Sequence, residues 1–171
     1  MSDMNHSAKA AAPQATVIIE RAYRATVGEL WALWTTKDGF ESWWGPEGFR
    51  VEVHRLEPRT GGALDYDMIA DAPEAIAAMK AMGQPISHGT RGTYADFHPC
   101  ERLKLVHLID FVPGAEPYEH TIEVDFSAAG DEARMLVTIH PHLDPMWTKM
   151  SLEGFTSQLG KLDRRFGWAA A

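Results

Sequence analysis

A chain of 171 residues, 45% of them hydrophobic, is long and apolar enough to close one core around a cavity. Its formal net charge of −8 argues against a nucleic-acid binder, which needs clustered lysine and arginine, and against anionic membrane surfaces. Cys100 is the only cysteine, which excludes an intramolecular disulfide and a cysteine-rich metal site and fits a cytoplasmic address.

The N-terminus MSDMNHSAKAAAPQA has no basic start followed by an apolar run, and no segment approaches the roughly 18 apolar residues of a membrane span. Residues 1–15 are therefore expected to be a disordered leader. VIIERAY (17–23), rich in β-branched and aromatic residues, is the first strand. Thr26 and Glu29 have capping-box spacing, and Leu30, Leu33 and Trp34 follow at helical intervals, so short helices lead to the double tryptophan of ESWWGPEGF (41–49). At this turn the pair is expected to be core or to anchor the helices to the sheet, the alternative being that one indole packs inward while its neighbour lies along a cavity mouth. FRVEVHRLE (49–57) and LDYDM (64–68) alternate apolar and polar residues and form a hairpin around Pro58-Arg59-Thr60-Gly61-Gly62.

Residues 70–87 break this rhythm. Asp71 is expected to cap a helix with Pro73 in its first turn and Ile76 and Met79 on one face, ended by Gly83 before Pro85, an inserted lid. TRGTYADFHP, RLKLVHLIDFV, YEHTIEVDF and ARMLVTIHPH read as four further strands of an antiparallel meander. Asp144-Pro145 opens a long helix whose Leu152, Phe155, Leu159, Leu162 and Phe166 form a stripe that must lie on the sheet. The order is an α+β plan: a curved antiparallel sheet of about seven strands around a C-terminal helix, with two short helices after the first strand.

The stretch VIIERAYRATVGELWALWTTKDGFESWWGPEGF resembles the opening of the activator of Hsp90 ATPase homologue-like family, within the START/Bet v 1-like (SRPBCC) superfamily. EPRTGG resembles its arginine-x-Gly-Gly hairpin, GTYADFHPCERL its G-x-Y strand, and GFTSQLGKL its C-terminal helix, with Phe155 where the family usually has tryptophan. The resemblance implies a helix-grip (Bet v 1-like) fold, a single domain over residues 16–168 with a helical insertion at 70–87, and a cavity between sheet and last helix that takes apolar or amphipathic small molecules. A chain this short has no room for the additional N-terminal domain of a full chaperone activator, so Hsp90 stimulation is not expected.

Strand phase and the resemblance together nominate Trp44, Phe49, Tyr66, Tyr94, His107, His120, Met150 and Phe155 as ligand contacts. His120 is in phase with Ile122, Val124 and Phe126 and points inward. The turn at 128–131 is expected to pair Val124 with Met135 and His120 with Ile139, which leaves His140, opposite Glu119, and His142 on one outward face. His107 lies in a segment apolar in both phases, so either row of that strand could line the cavity. The HPH pair lacks a third ligand, so no metal and no cofactor are expected. Signatures such as G-x-S-x-G, the P-loop and H-E-x-x-H are absent from the sequence. The leading reading is small-molecule binding. The alternatives are a cyclase- or hydratase-like enzyme using His120 or His107 as acid-base group with Tyr66 or Tyr94, and a protein-interaction module using Met79 and Met82, with homodimerisation possible.

Overall fold

The computed structural model describes residues 14–112 and 114–168. Most of the expected leader, residues 1–13, lies outside the described residues; Gln14 Nε2 donates to the His142 carbonyl at 2.7 Å.

Seven strands form one antiparallel sheet: β1 (Val17–Tyr23), β2 (Phe49–Leu56), β3 (Ala63–Ala70), β4 (Ser87–His98), β5 (Arg102–Ile109), β6 (Tyr118–Ala129) and β7 (Glu132–Ile139). Their spatial order is β1-β7-β6-β5-β4-β3-β2. After β1 the chain crosses to the far edge through α1 (Val27–Thr35) and α2 (Lys37–Glu41), then returns strand by strand until β7 pairs with β1. Register shifts after Val53 and Tyr94 bend the sheet. α4 (Pro145–Arg165) packs Phe155, Gln158, Leu159 and Leu162 inward, completing the helix-grip arrangement.

Local chemistry sets the helix starts. The Thr26 hydroxyl accepts from the Glu29 amide at 3.0 Å, as the capping-box spacing predicts. Asp144 accepts from the Met146 amide at 2.7 Å, and Pro145 occupies the first turn, where no amide donor is needed. α3 (Pro73–Ala81) differs from expectation: its N-cap is Ala72, without a side-chain bond. The amides of Asp71 and Ala72 both donate to the Gly48 carbonyl, which fixes Ala72 as the last extended residue and leaves the Asp71 carboxylate 3.6 Å from Arg50.

The β6–β7 register also differs. Ala129 pairs with Glu132, so the turn is only Gly130-Asp131, with Gly130 at φ +66°. Val124 therefore meets Val137, and Ile122 meets Ile139, two residues from the expected pairing. An even shift preserves the face of every side chain, so His120 still points inward. The outer partner of His140 does change: its Nε2 lies 2.8 Å from Glu123 Oε2, in place of Glu119.

One half of the space between sheet and helices is closed by aromatic side chains. Trp34 packs edge-on against Trp43 and Trp44 at ring separations of 5.1 and 5.4 Å, and Trp31 packs against Phe97 and Phe126. The Trp43 indole donates to the Leu33 carbonyl at 2.8 Å, so its one polar atom is satisfied inside the core.

Candidate functional site: a histidine-lined cavity under the C-terminal helix

The other half, toward the start of α4, is open. A cavity of about 290 Å³ lies between β3–β6 and the N-terminal half of α4. Its apolar wall includes Met68, Ile109, Ile122, Trp147 and Phe155, with Gly154 facing it from the helix. A Cβ built on Gly154 meets no atom within 4 Å, so the missing side chain leaves space there.

The polar wall begins at the double tryptophan. Trp44 Nε1 donates to the Tyr66 hydroxyl at 3.0 Å, and that hydroxyl lies 2.9 Å from His107 Nε2. An indole only donates, so we assign the phenol proton to His107 Nε2, which leaves the proton of neutral His107 on Nδ1. His107 and His120 are cross-strand partners on β5 and β6. His120 Nε2 donates to the His140 carbonyl at 2.6 Å, and its ring stacks on His142 with centroids 4.0 Å apart. His142 Nδ1 in turn lies 2.6 Å from the Tyr118 hydroxyl.

Burial, reinforced by the neighbouring imidazoles, lowers the His107 pKa to about 3 and that of His142 to about 4. Burial also lowers the pKa of His120 and His88, and it raises that of Tyr66. The cavity therefore presents neutral imidazoles at pH 7. Among the described residues no group of three His, Cys, Asp or Glu side chains converges as a metal site.

The turn that follows the tryptophans is clamped to α4 through its backbone. The Gly45 amide donates to Gln158 Oε1 at 3.0 Å, the Glu47 amide to Ser157 Oγ at 2.9 Å, and Lys161 Nζ to the Gly45 carbonyl at 2.8 Å. Gly45 adopts φ +98°, which favours glycine. The aromatic pair sits here because the turn joins two jobs: Trp43 closes the core, and Trp44 carries the junction to the cavity wall.

Of the residues nominated from sequence, Trp44, Tyr66, His107, His120, Met150 and Phe155 line the cavity. Phe49 and Tyr94 do not. Phe49 begins the edge strand beside the Gly45 turn, with its carbonyl 3.4 Å from Lys161 Nζ. Tyr94 lies in the closed half, where its hydroxyl donates to the Trp34 carbonyl at 2.6 Å. His142 faces inward, contrary to the outward placement expected for it. β7 ends at Ile139 and Pro141 cannot continue the ladder, so the chain turns and HPH does not present two imidazoles on one strand face. The 70–87 insertion does not act as a lid: no α3 residue lines the cavity, and none of them is buried. His88, Thr90, His142 and Gln158 are polar members of the wall that were not nominated for it, and Ile109 belongs to the row of β5 that carries His107. Gln158 carried the clearest signal, a polar residue three positions after Phe155 on the buried stripe.

Solved structures place this architecture among known proteins. A protein from Chromobacterium violaceum superposes with a TM-score of 0.68 at 17% identity, covering 91% of this chain and 100% of that one. The AHSA1 protein from Silicibacter pomeroyi gives 0.68 at 19% identity, covering 90% and 98%. A protein from Arthrobacter aurescens gives 0.67 at 20%, covering 91% and 87%. At these identities the likeness concerns the fold. No curated protein gives a significant match. The family model described as Activator of Hsp90 ATPase homolog 1-like protein matches residues 24–168, so the chain belongs to that family, within the SRPBCC superfamily.

Proposed function

We propose that the protein binds a small apolar or amphipathic molecule in the cavity between the sheet and α4. The observation that carries this reading is a cavity of about 290 Å³ with a largely apolar wall and a few convergent polar groups, close to the lower size limit of small-molecule sites. Trp44 Nε1, the Tyr66 hydroxyl, His107 Nε2 and His120 Nε2 are tied to one another or to the backbone, an arrangement suited to holding a shape. No described helix is long and apolar enough to cross a membrane. The proposal places the protein in the cytoplasm, in keeping with its single, free Cys100.

The test uses N-phenyl-1-naphthylamine, an apolar dye whose emission rises on leaving water. Wild-type protein should enhance and saturate the signal, and Gly154→Leu, which fills the cavity from the helix side, should abolish the enhancement. Equal enhancement by both proteins would refute cavity binding.

A further inference from the structure

We infer that the cavity takes an uncharged, ring-bearing molecule with a carbonyl oxygen, and that Gln158 Nε2 donates the hydrogen bond that orients it. The inference rests on the cavity-binding reading and names the ligand class.

Three features lead to it. First, no Asp, Glu, Lys or Arg lines the cavity among the described residues, and its four histidines are held neutral by burial. An ionised ligand group would sit there without a counter-charge, which is strongly unfavourable away from water. Second, the wall is aromatic on several sides. The Trp44 ring lies nearly parallel to His107 with centroids 6.0 Å apart, Phe155 meets Trp44 edge-on, and Phe111 meets Trp147 edge-on. Flat faces and edges of this kind match a ring system.

The third feature is Gln158. Its side chain is 4% exposed and forms part of the cavity wall. Its Oε1 is committed to the Gly45 amide, so exchanging amide oxygen and nitrogen would set one N–H against another. The orientation is thereby fixed, and Nε2 is the one buried side-chain nitrogen or oxygen among the described residues without a hydrogen-bond partner. Three other donors of the wall, Trp44 Nε1, the Tyr66 hydroxyl and His120 Nε2, have partners within the protein. A carbonyl supplies the acceptor that Nε2 lacks and asks for nothing else, whereas a hydroxyl brings a further donor that must itself be satisfied.

The experiment compares 2-acetylnaphthalene with 2-ethylnaphthalene, two neutral probes of nearly the same shape that differ by a carbonyl in place of a methylene. Equilibrium dialysis against the full chain gives the ratio of their affinities. In Gln158→Met, which keeps the length of the side chain and removes the donor, the ratio of ketone to hydrocarbon affinity should fall about tenfold while the hydrocarbon still binds. A ratio unchanged within about twofold would overturn the inference and leave cavity binding standing. Binding of neither probe by the wild type would overturn both. Because Gln158→Met also loses the bond to Gly45, a second readout uses the wild type alone: the Gln158 side-chain amide resonances should shift on saturation with the ketone and stay in place with the hydrocarbon. Equal shifts with both would count against the assignment.

Discussion

Lowering the pH should destabilise this protein well before its carboxylates titrate. His107 and His142 have folded pKa values near 3 and 4, pushed down chiefly by burial, against an unfolded value of about 6.5. Depressed values mean that the unfolded chain takes up protons that the folded one does not. Stability from this source is complete above about pH 6.5 and is lost as the pH falls toward the folded values. Each histidine approaches about 1.4 kcal/mol per pH unit well below pH 6.5, and because half of the unfolded imidazoles are already protonated at that pH, moving from pH 6.5 to pH 5 removes about 1.6 kcal/mol per group and about 3 kcal/mol for the pair. His120 acts in the same direction. That loss is a large share of the roughly 5–15 kcal/mol that holds a domain folded. Stopping at pH 5 keeps the measurement above the window of Glu123, whose pKa is held below the usual carboxylate value by the hydrogen bond from His140 and whose contribution is lost as the pH falls below the unfolded value of about 4.3. The assay is urea unfolding followed by tryptophan fluorescence at half-unit pH steps, in wild type and in His107→Gln/His142→Gln. Wild-type unfolding free energy should drop with a slope approaching at least two protons per molecule, and the slope of the double variant should be shallower by up to two, what remains coming from His120 and His88. A flat wild-type profile, or an equal slope in the variant, would refute the reasoning.

Three other substitutions test separate parts of the account. Tyr66→Phe leaves Trp44 Nε1 and His107 Nε2 without their shared buried partner and should lower stability by about 2–4 kcal/mol in chemical denaturation. Gly154→Leu should do the opposite, raising stability by up to about 1 kcal/mol because a helical glycine is replaced by a strong helix former where there is room, even as it blocks the cavity. Gly45→Ala forces a side chain onto φ +98° and should cost about 1–2 kcal/mol, read as a lower midpoint of thermal unfolding.

Strand phase and two of the three expected helix caps are local properties that were legible, whereas Asp71 does not cap α3 because its amide and that of Ala72 are held by the Gly48 carbonyl. Alternation in FRVEVHRLE and YEHTIEVDF tells which side chains face the core, and Thr26 and Asp144 cap the helices their spacing suggests. Features that depend on how elements meet were not. The β6–β7 turn length follows from the left-handed backbone at Gly130, so the register could slip by two residues without disturbing any facing pattern. His142 belongs to no strand, and only the turn after Pro141 brings its ring onto His120. Tyr94 obeys the same inward phase as Tyr66, yet α1 covers it and leaves Tyr66 beside open space. Phase assigns a face of the sheet; the division of that face into a filled half and an open half depends on where α1, α2 and α4 rest.

Two parts of one short segment illustrate that division. Trp43 and Trp44 are adjacent, and both are buried, but the first bonds to a core carbonyl and the second to the Tyr66–His107 pair on the cavity wall. The turn behind them is held by Ser157, Gln158 and Lys161 of α4. A shift of α4 would therefore alter the cavity wall and the tryptophan pair together.

The most direct test of the central claim is native mass spectrometry of the wild-type protein and Gly154→Leu, each purified gently from cells of the source organism. The account predicts a defined adduct on the wild type that is lost on denaturation and absent from the variant, with a mass matching a neutral small molecule. Bare chains in both samples, or the same adduct on both, would contradict a ligand held in the cavity beneath α4.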